Sequence, residues 1–138
     1  MIRTAKAHWE GNLKEGKGTL DTQSGILNKT NYSFKTRFEE GKKGTNPEEL
    51  LAAAHAGCFT MAVSAMLTEK GLTPIALDTE ATLTMEGLSI KGIHLTITAS
   101  VKGMNAEAFT KITKAAEENC VISKALSIPI SSEAHLIV

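Results

Sequence analysis

A chain of 138 residues can bury one core but not two independent ones, so residues 1–138 read as a single domain. Fifteen basic residues balance fifteen acidic ones, which excludes the global field that draws a protein to nucleic acid, an anionic membrane or an acidic polymer, and leaves a small molecule or another protein as partner. Residues 1–10 carry three cationic positions and no apolar stretch of signal-peptide length, so a cytoplasmic address is expected. In that reducing compartment the only two cysteines, Cys58 and Cys120, point to chemistry or metal binding rather than to a permanent staple.

The first forty residues read as a β-meander. Ala5, Ala7 and Trp9 alternate with Lys6, His8 and Glu10, and Gly11-Asn12 signals a turn. Another strand is expected from Asn31, with Phe34, Thr36 and Phe38 on one face and Ser33, Lys35 and Arg37 on the other, which points Arg37 away from its aromatic neighbours. Residues 41–46 form a loop. Asn46 as cap, Pro47 at the first helical position and Glu48-Glu49 in the first turn then announce a helix, and Gly71 and Pro74 mark its end.

Residues 50–68 contain no charged side chain, a length that also suits a membrane span. The run is rich in Ala and Gly and is interrupted by His55, Thr60 and Ser64, with strands on either side. It therefore reads as a long central helix buried in the core and against a partner subunit. Two alternating segments, residues 81–85 and 93–101 with Gly87 between them, form an antiparallel pair. Asn105 caps an amphipathic second helix to about Asn119, with Phe109, Ile112 and Ala116 facing the core. Cys120 opens a short segment, and residues 128–138 form a last strand. The sum is an α+β domain, its long helix packed on a mostly antiparallel sheet.

Several residue types here carry chemistry, and each has an ordinary alternative. Cys58 is a small core residue unless its thiol ionises, which burial opposes and a nearby cation favours. A straight helix puts it about 16 Å from the helix start, too deep for the end charge to activate it. The chain has two arginines, Arg3 and Arg37. Arg37 is the better placed, and is otherwise a solvated surface residue. Glu48 and Glu49 serve the helix N-terminus or pair with that arginine, and either lies roughly 14–15 Å along a straight axis from Cys58, so joining them requires a helix break near Gly57 or an arginine reaching between. His55, Cys58 and Cys120 offer three zinc ligands, yet no fourth ligand, CxxC or HxxxH accompanies them, so neither metal nor cofactor is expected.

The stretch GTNPEELLAAAHAGCFTMAVSAML (residues 44–67), ENCVISKAL (118–126), HWEGNLKEGKGTL and NYSFKTRFEEGKKGTNPEE resemble the osmotically inducible protein C and organic hydroperoxide resistance family, in its osmotically inducible branch, over nearly the whole chain. The resemblance implies an intertwined homodimer and a thiol peroxidase that reduces organic hydroperoxides, and hydrogen peroxide less well. It assigns Cys58 as peroxidatic cysteine, Cys120 as resolving cysteine, Arg37 as activating arginine and Glu48 as its acidic partner, with Glu49 one register away. It also implies an external dithiol reductant of lipoyl-protein type. In one departure, the family often has proline after the resolving cysteine, where this chain has Val121. The competing function class is a non-catalytic, dimeric, stress-associated binding module with structural cysteines.

Overall fold

The computed structural model describes residues 1–40 and 43–137, whose contacts cluster into two compact units, Met1–Leu50 and Leu51–Val138. In the first unit β1 (Ala5–Glu10), β2 (Lys17–Thr22) and β3 (Thr30–Tyr32) form an antiparallel meander in that order. Gly18 stands opposite both Trp9 and Tyr32, whose rings meet edge-on at 5.5 Å. A Cβ at Gly18 would come within 2.5 Å of Tyr32 and 2.6 Å of Trp9, so only glycine lets the two rings close over the strand.

The strand expected to run from Asn31 through Phe38 stops at Tyr32, and residues Phe34–Phe38 are instead a short helix, α1. The cause is local. Ser33 accepts from the Thr36 amide while the Thr36 hydroxyl accepts from the Ser33 amide, a capping box that outcompetes the strand ladder. Helical spacing then stacks Phe34 on Phe38 at 4.8 Å. Of the loop expected at 41–46, Gly41 and Lys42 lie outside the described residues, and Thr45 bridges Tyr32 in parallel.

Helix α2 (Pro47–Glu69) starts where the sequence places it. Asn46 Oδ1 accepts from the Glu49 amide at 2.7 Å, and its Nδ2 donates to the Thr36 carbonyl at 3.1 Å, tying the helix start to α1. The helix ends in a Schellman turn, with Leu72 N–H bonded to Leu67 O and Gly71 N–H to Thr68 O and Gly71 at φ +77°. No break occurs at Gly57, and α2 is continuous. It is long and apolar enough to cross a membrane by composition, but His55, Phe59, Val63 and Leu67, four residues apart, bury one line of it.

In the second unit β4 (Pro74–Glu86) and β5 (Ser89–Val101) form a long antiparallel hairpin, turned at Gly87 with φ +58°. The chain crosses over through α3 (Ala106–Asn119) and α4 (Val121–Ala125), so β6 (Ile130–Ile137) returns parallel to β5. Antiparallel pairings thus dominate an α+β fold. Phe59, Val63 and Leu67 pack with Leu95, Ile97 and Ala99 of β5 and Phe109 and Ala116 of α3, all 0–1% exposed. Because Phe59 is fully enclosed, Phe59→Ala should cost about 3–5 kcal/mol, read as a lowered urea midpoint at unchanged slope. A loss below about 1 kcal/mol would show that α2 does not anchor this core.

Candidate active site

The two cysteines, 62 positions apart in sequence, meet. Cys58 projects from the middle of α2. Cys120 sits at a one-residue break, where it is both the C-cap of α3 and the N-cap residue of α4, with φ −58° and ψ 134°. That extended residue stops α3 and turns the first amides of α4 toward the sulfurs. Both thiols are free, Cys120 buried and Cys58 half-buried; Cys58 packs against the core cluster that holds Cys120, and each side chain is close enough to bear on the ionisation of the other.

Burial and the neighbouring Cys120 push the Cys58 thiol above its ordinary value, although the Ile122 and Val121 amides pull the other way. Burial acts on Cys120 in the same sense. There the Ser123 amide, the Cys58 thiol, the Ser123 hydroxyl and the Ile122 amide outweigh it, and the Cys120 thiol lies below its ordinary value. Cys120 closes no capping hydrogen bond of standard geometry, so these donors act as a loose cage around the sulfur. The two thiols are thus pushed in opposite directions, and among the described residues no cation is one of the groups that bear on Cys58.

The first unit holds a cation already paired. Arg37 Nε donates to Glu48 Oε1 at 2.7 Å and its Nη2 lies 2.5 Å from the same oxygen, while the guanidinium carbon sits 5.3 Å from the Phe38 ring centre. Arg37 therefore does not point away from its aromatic neighbours, as the strand reading expected. Its place on α1, one residue before Phe38, folds it over that ring. The Glu48 side chain is 13% exposed and that of Arg37 38%. Glu48 Oε2 is buried without a partner among the described residues. Glu49 is engaged elsewhere, accepting from Thr45 Oγ1 at 2.8 Å, so Glu48 is the arginine's partner. Along the axis of α2, ten residues from Glu48 to Cys58 correspond to about 15 Å of rise.

Sequence reasoning missed Ser123 and the true neighbour of His55. His55 is fully buried, and its Nε2 lies 2.8 Å from Ser123 Oγ. The ring thus turns to a hydroxyl on α4 instead of joining a ligand set with the cysteines, and among the described residues no group of three His, Cys, Asp or Glu is arranged to hold a metal. The separation of 68 positions leaves no local signal for this pair. Burial lowers the His55 pKa from the ordinary 6.5. As pH falls through 6.5, the unfolded chain takes up a proton that the folded imidazole refuses, so stability present above that value is lost below it. Urea midpoints should fall as pH drops below 6.5, and His55→Gln should remove part of that slope. An unchanged slope in the variant would contradict the burial of a neutral ring.

The OsmC-like protein family matches residues 40–133. The chain is 46% identical over 138 residues to the peroxiredoxin OsmC of Escherichia coli strain K12, covering 97% of this chain and 96% of that protein. It is 31% identical over 127 residues to the organic hydroperoxide resistance protein OhrB of Bacillus subtilis, covering 88% and 85%. The crystal structure of that OhrB superposes with a TM-score of 0.68 at 26% identity, covering 97% of this chain and 98% of the other. By sequence and by fold the chain belongs to the OsmC-like protein family.

Proposed function

We propose that this protein is a cytoplasmic thiol peroxidase that reduces organic hydroperoxides to alcohols, working as an intertwined homodimer. The observation that carries the reading is the contact between two free thiols, one on a core helix and one at a helix break. The relatives' names, peroxiredoxin and organic hydroperoxide resistance protein, support it. In the reaction, the Cys58 thiolate attacks the distal peroxide oxygen, the O–O bond breaks, the alkoxide leaves as alcohol after taking a proton, and Cys58 becomes a sulfenic acid. Cys120 then attacks that sulfur, the S–O bond breaks, and water leaves as the disulfide forms. A dithiol of lipoyl-protein type restores both thiols by exchange.

Arg37 is the activating cation in this mechanism. Its permanent charge offsets the burial that raises the Cys58 pKa and stabilises the departing alkoxide, while Glu48 fixes the plane of the guanidinium. A continuous α2 keeps Glu48 about 15 Å of rise from Cys58, so the reading places the Arg37–Glu48 pair of one protomer at Cys58 of the other. The face of α2 that carries Ala53, Gly57, Met61 and Ala65 is exposed in the single chain and offers a close-packing surface for a second copy.

Cumene hydroperoxide consumption with a dithiol reductant tests the chemistry. Cys58→Ser should fall to the uncatalysed background, and activity equal to the parent would leave the non-catalytic, stress-associated binding module as the reading. The sharing of the site is tested separately. Arg37→Leu should slow turnover by about 10²–10³, and mixing it with Cys58→Ser, under conditions that exchange subunits, should restore activity, because one hybrid site then holds an intact Cys58 and an intact Arg37. A mixture no more active than its components would place Arg37 and Cys58 of the same chain together.

A further inference from the structure

Beside the thiol pair lies a buried histidine that the peroxidase mechanism leaves unused. His55 is 0% exposed, Ser123 9% and Cys120 1%. His55 Nε2 and Ser123 Oγ are 2.8 Å apart, Ser123 is the third residue of α4 after the cap residue Cys120, near enough for its side chain to bear on that sulfur, and His55 Nδ1 is buried with no partner among the described residues. Three side chains from α2, α4 and the break between α3 and α4 thus lie together inside the second unit, the first two joined by a hydrogen bond.

Hydrogen-bond balance fixes the direction of that line. If Nδ1 carried the ring proton, a buried N–H donor would be left unpaired, the costlier kind of orphan. With the proton on Nε2, the orphan is only a bare lone pair, and Nε2–H donates to Ser123 Oγ. The serine proton is then free to point the other way, toward Cys120. We infer that His55 and Ser123 are positioning residues of the resolving step, a buried relay in which His55 Nε2–H donates to Ser123 Oγ and Ser123 O–H donates to the Cys120 thiolate, holding that sulfur ionised and aimed at Cys58.

This deepens the peroxidase reading and rests on it for its purpose. Its step balances without a further reagent. The Cys120 thiolate sulfur is oxidised as it forms the S–S bond, the sulfenic sulfur of Cys58 is reduced as its S–O bond breaks, and the departing hydroxide becomes water by taking up from solvent the proton that Cys120 released on ionising. Burial favours the neutral form of His55, which carries a single N–H, and the relay places that proton on Nε2.

Cys120 ionisation can be read by ultraviolet thiolate absorbance in a Cys58→Ser background, where no peroxide chemistry intervenes. Adding Ser123→Ala should raise the midpoint by about one pH unit, and Ser123→Thr, which keeps the hydroxyl, should restore it. In the chain with both cysteines, Ser123→Ala and His55→Leu should convert the Cys58 sulfenic acid to disulfide roughly tenfold more slowly, with a dione probe trapping the accumulated sulfenic acid. His55→Gln, which keeps an N–H donor near the Nε2 position, should recover most of the rate. Nitrogen NMR of the unaltered protein, which depends on no variant folding, should find the His55 proton on Nε2. A proton on Nδ1, or Ser123→Ala with parental midpoint and resolution rate, overturns the relay. Absence of any sulfenic acid in Cys120→Ser protein would instead remove the peroxidase reading and leave the ionisation test standing.

Discussion

The contact between Cys58 and Cys120 depends on one residue refusing to be helical. Had α3 continued through position 120, its axis would have carried the Cys120 side chain around the helix and left the amides of residues 121–123 bonded within it. The extended conformation at Cys120 frees those amides at the start of α4, and they are the groups that bear on both sulfurs. Phe109, Ile112 and Ala116 hold α3 on the core, while Phe59, Val63 and Leu67 hold α2 on the same core. The thiol contact is therefore fixed by two independent hydrophobic anchors, and its geometry is as rigid as the packing around it.

That rigidity comes with an electrostatic problem. A thiol among apolar side chains resists ionisation, and for Cys58 the two amides that oppose burial do not overcome it. Cys120 has two more helpers, the Cys58 thiol and the Ser123 side chain, and falls on the other side of its ordinary value. The asymmetry suits a two-step reaction. In the mechanism proposed above, the resolving sulfur, Cys120, is prepared by groups of its own unit, whereas the attacking sulfur, Cys58, waits for a cation. Arg37 is equipped for the role proposed for it, since Glu48 and the Phe38 ring already hold its guanidinium, so less side-chain freedom is lost when it engages an anion.

How much was legible in the sequence follows the range of the interactions. Asn46-Pro47-Glu48, the Gly71 stop, the β4–β5 alternation and the face of α3 are set by neighbours within a few residues, and all stand where the pattern puts them. Residues 34–38 misled because alternating Phe, Thr and Phe fit a strand period as well as an i, i+4 helical pair. The spacing of Ser33 and Thr36 was the local signal that decides between them. The parallel return of β6 is not written in β6 at all, only in the crossover that precedes it. At the site, family resemblance supplied the two cysteines, Arg37 and Glu48 as a set. The choice between Glu48 and Glu49 needed coordinates, because both sit in the same helical turn and only the direction of each side chain separates them. His55 with Ser123 was beyond reach, since nothing near either residue names the other.

Val121 stands where the family resemblance leads to the expectation of proline, and the difference has a physical meaning. Proline in that position would fix the turn into α4 but bring no N–H. Valine gives up the fixed turn and contributes an amide that bears on the Cys58 sulfur. Its side chain is 69% exposed, so packing does not explain its presence. The exchange shifts help from the shape of the break to the charge of the Cys58 thiol, and a chain that makes it needs another way to hold Cys120 in place. The Ser123 hydroxyl, itself held by His55 from the opposite helix, is the group in position to do so.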